Sequence, residues 1–293
     1  MTGVVLCVGA LSLDTIFRLD ALPTTPGKFL PTDALEVAQG MATAQAATIV
    51  RLGGRARLWA SCGDDANGDR IVEDLTAAGI DLSALRRVPG ARSGFSSILM
   101  DRHGERIVVP HYDPAIRSAP TALPDMDGIA VVSVDVRWPA AAERALTAAR
   151  DRGIPGVLDV EVAPADVLKR LLPLATHIIA SEAGAHALTG MTPEAAVQAI
   201  SARTGTAAAV VVTAGERGVF WREGHLPAHR VETVDTLAAG DVFHGAFALG
   251  LAEGWELARN LRFANAAAAL KCTRFGGRLG APTRAEVEAY LRA

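Results

Sequence analysis

Apolar residues in this chain fall into short runs separated by stretches of helical periodicity. Val4–Val8 is an apolar run closed by Gly9, which is typical of a buried strand. The segment Gln39–Gly54 has small apolar residues at helical spacing and ends at a Gly-Gly pair, so it predicts a closely packed helix. A predicted strand over Arg57–Ala60 and a predicted helix over Arg70–Ala78 follow. Strands that alternate with helices in this way pair in parallel through right-handed crossovers.

The same alternation resumes after residue 128. The apolar runs IAVVSVDV, GVLDV, HIIAS and AAVVVTAG predict strands, and the helices predicted between them cover Ala140–Arg152, Ala165–Leu172 and Thr192–Thr204. A hairpin around GERGVFWREG and a long Ala-rich helical region follow. We therefore predict a three-layer α/β fold in which helices cover both faces of a mostly parallel central sheet.

Two segments, about 13–38 and 94–112, break this pattern because no helix separates their strands. The predicted strands are Leu13–Ala21, Phe29–Ala38, Gly94–Asp101 and Glu105–Tyr112. We expect them to form a small β-sheet lid beside the main sheet. No linker, repeat or low-complexity tract divides the sequence, so residues 1–293 are interpreted as a single domain.

Charge and composition exclude several classes of function. The chain has 29 Lys and Arg against 32 Asp and Glu, a net charge of −3 that does not attract nucleic-acid backbones. No apolar run approaches the ~18 residues that span a bilayer, and no basic segment precedes the first run. Cys7, Cys62 and Cys272 form no CxxC pair, which excludes a zinc ribbon and fits a reducing compartment. We expect a cytoplasmic protein with neither nucleic acid nor membrane as a partner.

The stretch VDTLAAGDVFHGAFALGLAEG carries the strongest chemical signal. Ala238, Ala239 and Gly240 form a small-residue turn before Asp241, and an apolar helical face follows. Backbone N–H groups at such a helix start bind phosphate or a developing oxyanion. A carboxylate there repels an anion unless it accepts a proton from an attacking hydroxyl, which indicates phosphoryl transfer. Taken alone, an Asp before an apolar helix, such as Asp241, is most often the N-cap of that helix.

This stretch resembles the second signature of the ribokinase, or PfkB, family of carbohydrate kinases, DTxGAGDxFxxG. The matching residues are Asp235, Thr236, Ala239, Gly240, Asp241, Phe243 and Gly245. Ala238 stands where the family has Gly and adds a methyl where backbone must approach a phosphate. The resemblance implies a ribokinase-like fold, Asp241 as the catalytic base, and an anion hole at the backbone amides of Ala238, Ala239 and Gly240.

The resemblance extends to the sugar side over nearly the whole chain. VGALSLD resembles the first-strand element of the family, whose Asp, here Asp14, bonds sugar hydroxyls. Gly40 belongs to the first signature, in which Ala44 replaces the sugar-binding Asn of many ribokinases. Without the family, Asp14 could simply be a turn residue. The resemblance therefore implies sugar contacts from Asp14 and Gly40.

The resemblance also implies a nucleotide side. Its expected ATP-binding residues are Ser181, Thr213, Gly215, Gly218 and Asn265. The NxxE element of the family becomes Ser181 and Gly184, which leaves Glu182 as the nearest carboxylate for water bound to magnesium. Without the family, the glycines could belong to a plain hairpin and the Ala-rich segment to a plain buried helix.

A closer resemblance concerns the acceptor. DVRW, SEAGAHALTG, GDVFHGAFAL and LKCTRFGGRLGAP are similar to the bacterial sulfofructose kinase group, which phosphorylates the C1 hydroxyl of 6-deoxy-6-sulfofructose. Lys28 and Arg137 could bind an anionic tail, or could be ordinary solvated cations. The lid segment VVPHYDP lacks an Asn expected for sulfonate binding. The acceptor thus stays open between a ketohexose and an anionic sugar.

The sequence therefore predicts an ATP-dependent sugar kinase that uses Mg²⁺, with K⁺ as a further candidate cofactor. Alternatives are a nucleoside or ketodeoxy sugar acid kinase, and a non-catalytic sugar- or nucleotide-sensing pseudokinase, which the departures at Ala238, Ser181 and Gly184 suggest. Lid sheets in this family often pair between subunits, so we expect a homodimer through the lid. His244 has no partner at metal-ligand spacing and is expected to have a packing or polar-surface role.

Overall fold

The computed structural model describes residues 3–204 and 208–293. The strands are β1 Val4–Val8, β2 Ser12–Arg18, β3 Asp33–Gln39, β4 Ala56–Trp59, β5 Ser61–Gly63, β6 Arg86–Val88, β7 Phe95–Met100, β8 Arg106–His111, β9 Ile129–Asp135, β10 Gly156–Val160, β11 His177–Ser181, β12 Ala209–Thr213, β13 Val219–Trp221 and β14 Gly224–Leu226. The helices are α1 Met41–Arg51, α2 Ala66–Ala77, α3 Pro139–Asp151, α4 Ala165–Leu171, α5 Glu182–Thr189, α6 Pro193–Thr204, α7 Ala239–Ala252, α8 Leu257–Cys272 and α9 Arg284–Arg292.

The central sheet has eight strands in the order β14-β13-β12-β11-β10-β9-β1-β4. The six strands from β12 to β4 are parallel, and β13 and β14 are antiparallel at one edge. Alternating side chains supply two cores: Val5 and Cys7 pack toward α1, α7 and α8, whereas Leu6 and Val8 pack toward α3. Both faces are therefore buried, as expected for a parallel sheet.

The lid is a separate four-stranded sheet in the order β3-β2-β7-β8. β2 pairs antiparallel with β3, β7 pairs antiparallel with β8, and the two hairpins join through a parallel β2–β7 pairing. Ile16, Val37, Ile98 and Met100 form its own small core. Two segments distant in sequence thus build one sheet.

The structure confirms the predicted fold class, and the helix and strand boundaries differ from the predictions by a few residues at most positions. The sequence analysis missed α5 and the short parallel pair of β5 and β6. The Ala-rich C-terminal region, predicted as one long helical stretch, consists of α7, α8 and α9. Within the described ranges, no helix combines the length and apolarity needed to cross a membrane.

Candidate active site

A cavity of about 670 Å³ lies where the lid faces the carboxyl ends of the parallel strands. Every one of these strands except β4 contributes to its wall at or just beyond its last residue: Ala10 after β1, Arg137 after β9, Glu161 after β10, Ser181 at the end of β11 and Thr213 at the end of β12. The lid contributes Asp14, Ser96, Ile98, Arg106, Val108 and Pro110. This edge of an open α/β sheet is the common location of ligand sites.

The N-terminus of α7 opens into the same cavity. Ala238 precedes the helix with φ 64° and ψ 11°, the left-handed conformation that glycine adopts most readily. Apart from its chain neighbours and the backbone of its own helix, a Cβ built on Gly240 would have no atom of the described residues within 4 Å, so the space beside it is open to a ligand. The first-turn amides and the dipole of a fourteen-residue helix make this opening, the anion pocket, favourable for an anion.

Asp241 lies in the first turn of α7 and lines the cavity. Ala238 occupies the N-cap position, and no side chain caps the helix there, so Asp241 is not an N-cap. Burial, followed by the negative charge of Asp159, raises the pKa of Asp241 well above its usual range. A raised pKa makes this carboxylate a stronger proton acceptor, provided that the pH stays above it.

Asp235 fixes the loop that leads to α7. Its Oδ1 accepts a hydrogen bond from the Leu237 amide at 2.6 Å, and its Oδ2 accepts from the amides of Gly276 and Gly277 at 3.0 and 2.9 Å. Lys271 Nζ lies 2.9 Å from the same Oδ2. Both side chains are fully buried. The carboxylate therefore joins the loop before the anion pocket to the turn after α8.

Asp159 and His244 form a buried pair behind Asp241. His244 Nδ1 lies 2.8 Å from the Gly240 carbonyl oxygen, so it carries the hydrogen, while Nε2 lies 3.4 Å from Asp159 Oδ1. Burial lowers the pKa of His244 and raises that of Asp159. In both groups the loss of water on burial disfavours the charged form. His244 is therefore a buried residue that supports the first turn of α7, and the polar-surface alternative does not apply.

Asp135 connects three elements that meet at the cavity floor. Its Oδ2 accepts from the amides of Ala10 at 2.7 Å and Ala42 at 3.0 Å, and its Oδ1 accepts from the Arg137 amide at 2.7 Å. Gly40, the N-cap of α1, has no side chain to cap the helix, and Asp135 takes over that role. Gly40 itself has φ 118°, and a Cβ there would lie 2.4 Å from the Ala10 carbonyl oxygen.

The lid side of the cavity combines a buried carboxylate with arginines. Asp14 is 6% exposed, and its Oδ1 accepts from Ser12 Oγ at 2.7 Å. Burial raises the pKa of Asp14. Arg106, Arg117 and Arg137 also line the cavity, and within residues 3–204 and 208–293 none of the three forms an ion pair with a carboxylate. These arginines thus keep their charge available to a ligand.

Nine of the expected site residues lie together on the cavity wall, and five lie elsewhere. The wall includes Asp14, Gly40, Arg137, Ser181, Thr213, Ala238, Ala239, Gly240 and Asp241. Lys28, Gly215, Gly218, Asn265 and Glu182 are not among the cavity-lining residues.

The five outlying residues have other surroundings in the structure. Lys28 is exposed in the segment between β2 and β3. Gly215 and Gly218 have positive φ in the turn between β12 and β13. Asn265 Nδ2 donates to the Pro227 carbonyl oxygen at 2.9 Å, and Glu182 is paired with Arg217. Their expected contacts with sugar, ATP or magnesium remain predictions.

Several cavity residues escaped the sequence analysis: Arg106, Tyr112, Arg117, Asp159 and Glu161. Arg106 Nη1 donates to Thr236 Oγ1 at 2.6 Å, which connects lid strand β8 to the loop before α7. The Arg117 guanidinium lies 4.1 Å from the centre of the Tyr112 ring. Asp159 stands in the apolar run GVLDV and the others in lid or loop segments, and only the folded chain brings them to the cavity.

The open helix terminus fits nucleotide phosphates, and the donor set fits magnesium held mainly through them. Within the described residues, no group of three His, Cys, Asp and Glu side chains is arranged to hold a metal ion. Glu161 lines the cavity, whereas Glu182 is engaged by Arg217. Because Mg²⁺ usually keeps several waters beside phosphate oxygens, one or two nearby carboxylates are sufficient.

Comparisons with known proteins assign the chain to a family. Residues 4–284 match the family model described as pfkB family carbohydrate kinase. The chain is 31% identical to ribokinase from Bacillus subtilis, over 97% of this chain and 98% of the relative. A solved candidate ribokinase from Agrobacterium tumefaciens is 46% identical and superposes with a TM-score of 0.97 over 100% of this chain and 98% of that one. A ribokinase from Arabidopsis thaliana, complexed with ribose and ATP, is 24% identical with a TM-score of 0.84 over 100% of both chains and shares the fold. The chain therefore belongs to the pfkB family of carbohydrate kinases.

Proposed function

We propose that this sugar kinase transfers the γ-phosphoryl group of MgATP to a primary hydroxyl of a sugar that carries an anionic group. The observation that carries the proposal is the position of Asp241, in the first turn of α7, on a cavity wall shared with the lid. Asp241 would accept the hydroxyl proton as the oxygen attacks phosphorus, and the first-turn amides would stabilise charge on the transferred group.

The sugar and the nucleotide would bind to different sides of the cavity. Asp14 and Gly40 would bind the sugar near the lid, whereas Ser181 and Thr213, at the ends of β11 and β12, would face the nucleotide. The solved relative with ribose and ATP supports both ligands, and a candidate ribokinase II from E. coli was solved with ATP and Mg²⁺. Bound magnesium would neutralise phosphate charge, with Glu161 as the carboxylate on the wall.

Two arginines in the cavity wall are the reason for proposing that the sugar carries an anionic group. Arg117 and Arg137 line both the main cavity and a small recess next to it, together with Ala10 and Tyr112. Arginine offers planar paired donors that match sulfonate, carboxylate or phosphate oxygens. A ketohexose with such a group, for which 6-deoxy-6-sulfofructose is the leading candidate, would place its charge there and its free primary hydroxyl toward Asp241. Lys28 is exposed outside this group of residues and is not needed for it.

Replacing Asp241→Asn tests the assignment of the base. We expect kcat to fall by about 10³-fold or more, because the amide cannot accept the proton, while MgATP still raises the melting temperature. Asp166→Asn, which changes an exposed carboxylate in the first turn of α4, should leave kcat unchanged. Full activity of Asp241→Asn would disprove the role, and an inactive wild type over a broad sugar panel would favour a sensing protein.

Replacing Arg137→Ala tests the acceptor class. With MgATP, the wild type should phosphorylate sulfonated, phosphorylated or carboxylated sugars at higher kcat/KM than their neutral counterparts. We expect the variant to lose about tenfold or more in kcat/KM for the anionic sugar, since a charged hydrogen bond contributes about 1.5–3 kcal/mol, and to lose little for the neutral sugar. Arg144→Ala, at an exposed position of α3, is the control. Equal preference for neutral sugars would reject the anionic acceptor.

A further inference from the structure

A buried ion pair beside the anion pocket has no part in the proton transfer proposed above. Lys271, near the end of α8, and Asp235, in the loop before α7, have side chains with 0% exposure. Lys271 Nζ lies 2.9 Å from Asp235 Oδ2 and donates to the Asp235 carbonyl oxygen at 2.7 Å. One ammonium group thus binds the backbone and the side chain of the same residue.

The backbone around the anion pocket depends on this carboxylate. Asp235 accepts three amide hydrogen bonds, from Leu237 and from the Gly276–Gly277 turn. The Leu237 amide is followed directly by Ala238, whose left-handed conformation begins the turn into α7. A displacement of Asp235 would therefore change the direction of the amides that Ala239 and Gly240 present to the cavity.

Stability alone is a weak explanation for such a pair. Removing two charges from water costs several kcal/mol per ion, and apolar replacements of buried ion pairs are often neutral or stabilising. The amides of Leu237, Gly276 and Gly277 converge on one carboxylate, and an apolar residue could not accept their hydrogen bonds. The charge of Asp235 is thus required by the loop, and Asp235 in turn requires a cation inside the protein.

We propose that Lys271 is a positioning residue that serves as the resident monovalent cation of the anion pocket. It holds Asp235 charged and in place, so that the amides before and within the first turn of α7 stay directed at the transferred phosphoryl group. The chain then needs no K⁺ or other dissolved monovalent cation for this purpose, because the ammonium group already lies on the carbonyl and carboxylate oxygens of Asp235. The inference rests on the kinase function proposed above.

The first test uses the wild type. Phosphorylation of the best sugar is measured with MgATP in KCl and in N-methyl-D-glucamine chloride of the same ionic strength. We expect the same kcat within about twofold in both salts, since the organic cation is too large to enter a site made for an ammonium group. A fall of tenfold or more without K⁺ overturns the inference and leaves the kinase function intact.

Absence of activity in KCl would contradict the proposed kinase function, but it would not bear on the role of Lys271. In that case the salts are compared by the rise in melting temperature that MgATP causes. Equal rises in the two salts support Lys271 as the resident cation, and a rise confined to KCl rejects it.

The second test uses substitutions with a rescue. Lys271→Ala should lower kcat by about 10²-fold, the size of losing one oxyanion donor, with little change in KM for the sugar. Ammonium, methylammonium or K⁺ ions should restore part of kcat in this variant and have no effect on Lys169→Ala, which changes an exposed lysine of α4. A folded Lys271→Ala enzyme with normal kcat and no response to these ions contradicts the proposal.

A charge-neutral variant covers the case in which Lys271→Ala does not fold. Lys271→Met combined with Asp235→Asn leaves no buried charge without a partner, so the protein should fold. Its kcat should stay low, because Asn has one accepting oxygen and cannot accept from Leu237 as well as from Gly276 and Gly277. A kcat equal to that of the wild type would show that the ion pair has no part in positioning the pocket.

Discussion

At the residue scale, the site is organised by carboxylates with different tasks. Asp241, the proposed base, lines the cavity, whereas Asp135 and Asp235 are fully buried and accept hydrogen bonds from backbone amides. Asp159 shares its surroundings with His244. A sequence reader sees the same side chain four times. The hydrogen-bond partners, many of them more than thirty residues away in sequence, distinguish the proposed base from the carboxylates that hold the backbone in place.

Gly240 is a residue at which binding can be changed without changing the fold. A Cβ at this position meets no atom within 4 Å in the described residues beyond its chain neighbours and its own helix backbone. Gly240→Ala should therefore keep the melting temperature within about 1–2 °C, the shift of a change below ~0.5 kcal/mol. The added methyl would stand in the space assigned to the phosphate, and KM for MgATP should rise by about tenfold or more.

Gly90→Ala offers a control for the effect of an added methyl. That glycine also has open space around it, but it lies in a turn away from the cavity-lining residues and has φ 71°. Its substitution should lower the melting temperature through backbone strain and leave KM for MgATP unchanged. An unchanged KM in Gly240→Ala would mean that no phosphate approaches this residue.

At the element scale, side-chain contacts connect the lid to the loop before α7. Arg106, the first residue of β8, donates to Thr236, whose hydroxyl lies 3.4 Å from the Gly104 carbonyl oxygen in the β7–β8 turn. The strand that covers the sugar side therefore touches the loop that leads to α7. Under the proposed function, closure over the acceptor would act together with placement of the anion pocket, which would favour transfer to sugar over transfer to water.

The isosteric substitution Thr236→Val tests this coupling. It removes the hydroxyl that Arg106 and Gly104 contact and keeps the shape of the side chain. We expect kcat/KM for the sugar to fall about fivefold, the effect of losing about 1 kcal/mol, and the ratio of ATP hydrolysis to sugar phosphorylation to rise. Both quantities come from coupled assays with and without the sugar.

Thr32→Val is the matched control for that measurement. Its hydroxyl donates to the Arg18 carbonyl oxygen within the exposed part of the lid, at 3.1 Å, and it does not line the cavity. Its ratio of hydrolysis to transfer should match that of the wild type. If both threonine variants behave alike, the lid and the loop are not coupled through Thr236.

Elements were predictable from the sequence where the periodicity was long and regular. The helices around the central sheet and both lid hairpins follow from the pattern, and the small residues before Asp241 indicated the start of α7. The eight residues of α5 were missed because SEAGAHALTG contains two glycines and little apolar periodicity. The parallel pairing of β2 with β7 was not predictable, since it joins strands that no turn connects.

At the scale of the whole molecule, the position of most of the cavity could be predicted from the sequence. Some of the charged groups that line or support it could not. Parallel strands end at one edge of a sheet, so residues that follow them had to meet there. Lys271 and Arg117 lie on elements whose packing against the site depends on the tertiary fold. The sequence marks Lys271 only as one cation in an Ala-rich stretch, and nothing in the pattern pairs it with Asp235.

We propose that two copies of the chain associate through the lid. β8 is an edge strand in which every residue is exposed, with Val109 at 61%. Such an apolar edge favours pairing with another strand. Val109→Glu should shift the mass measured by light scattering from dimer to monomer, because the glutamate would face its copy. Met191→Glu, at an apolar side chain that is 47% exposed outside the lid, should leave the mass unchanged. A monomeric wild type would reject the dimer.

The discontinuous origin of the lid limits how this enzyme can be re-engineered. Its four strands come from two stretches, and between them the chain passes through α1, β4 and α2 of the main body. The sugar preference of a relative therefore cannot be transferred to this enzyme by replacing one continuous segment of its sequence. Both segments must be exchanged together so that β2 and β7 come from the same protein and still pair. Otherwise the hybrid lid will consist of two hairpins from different proteins.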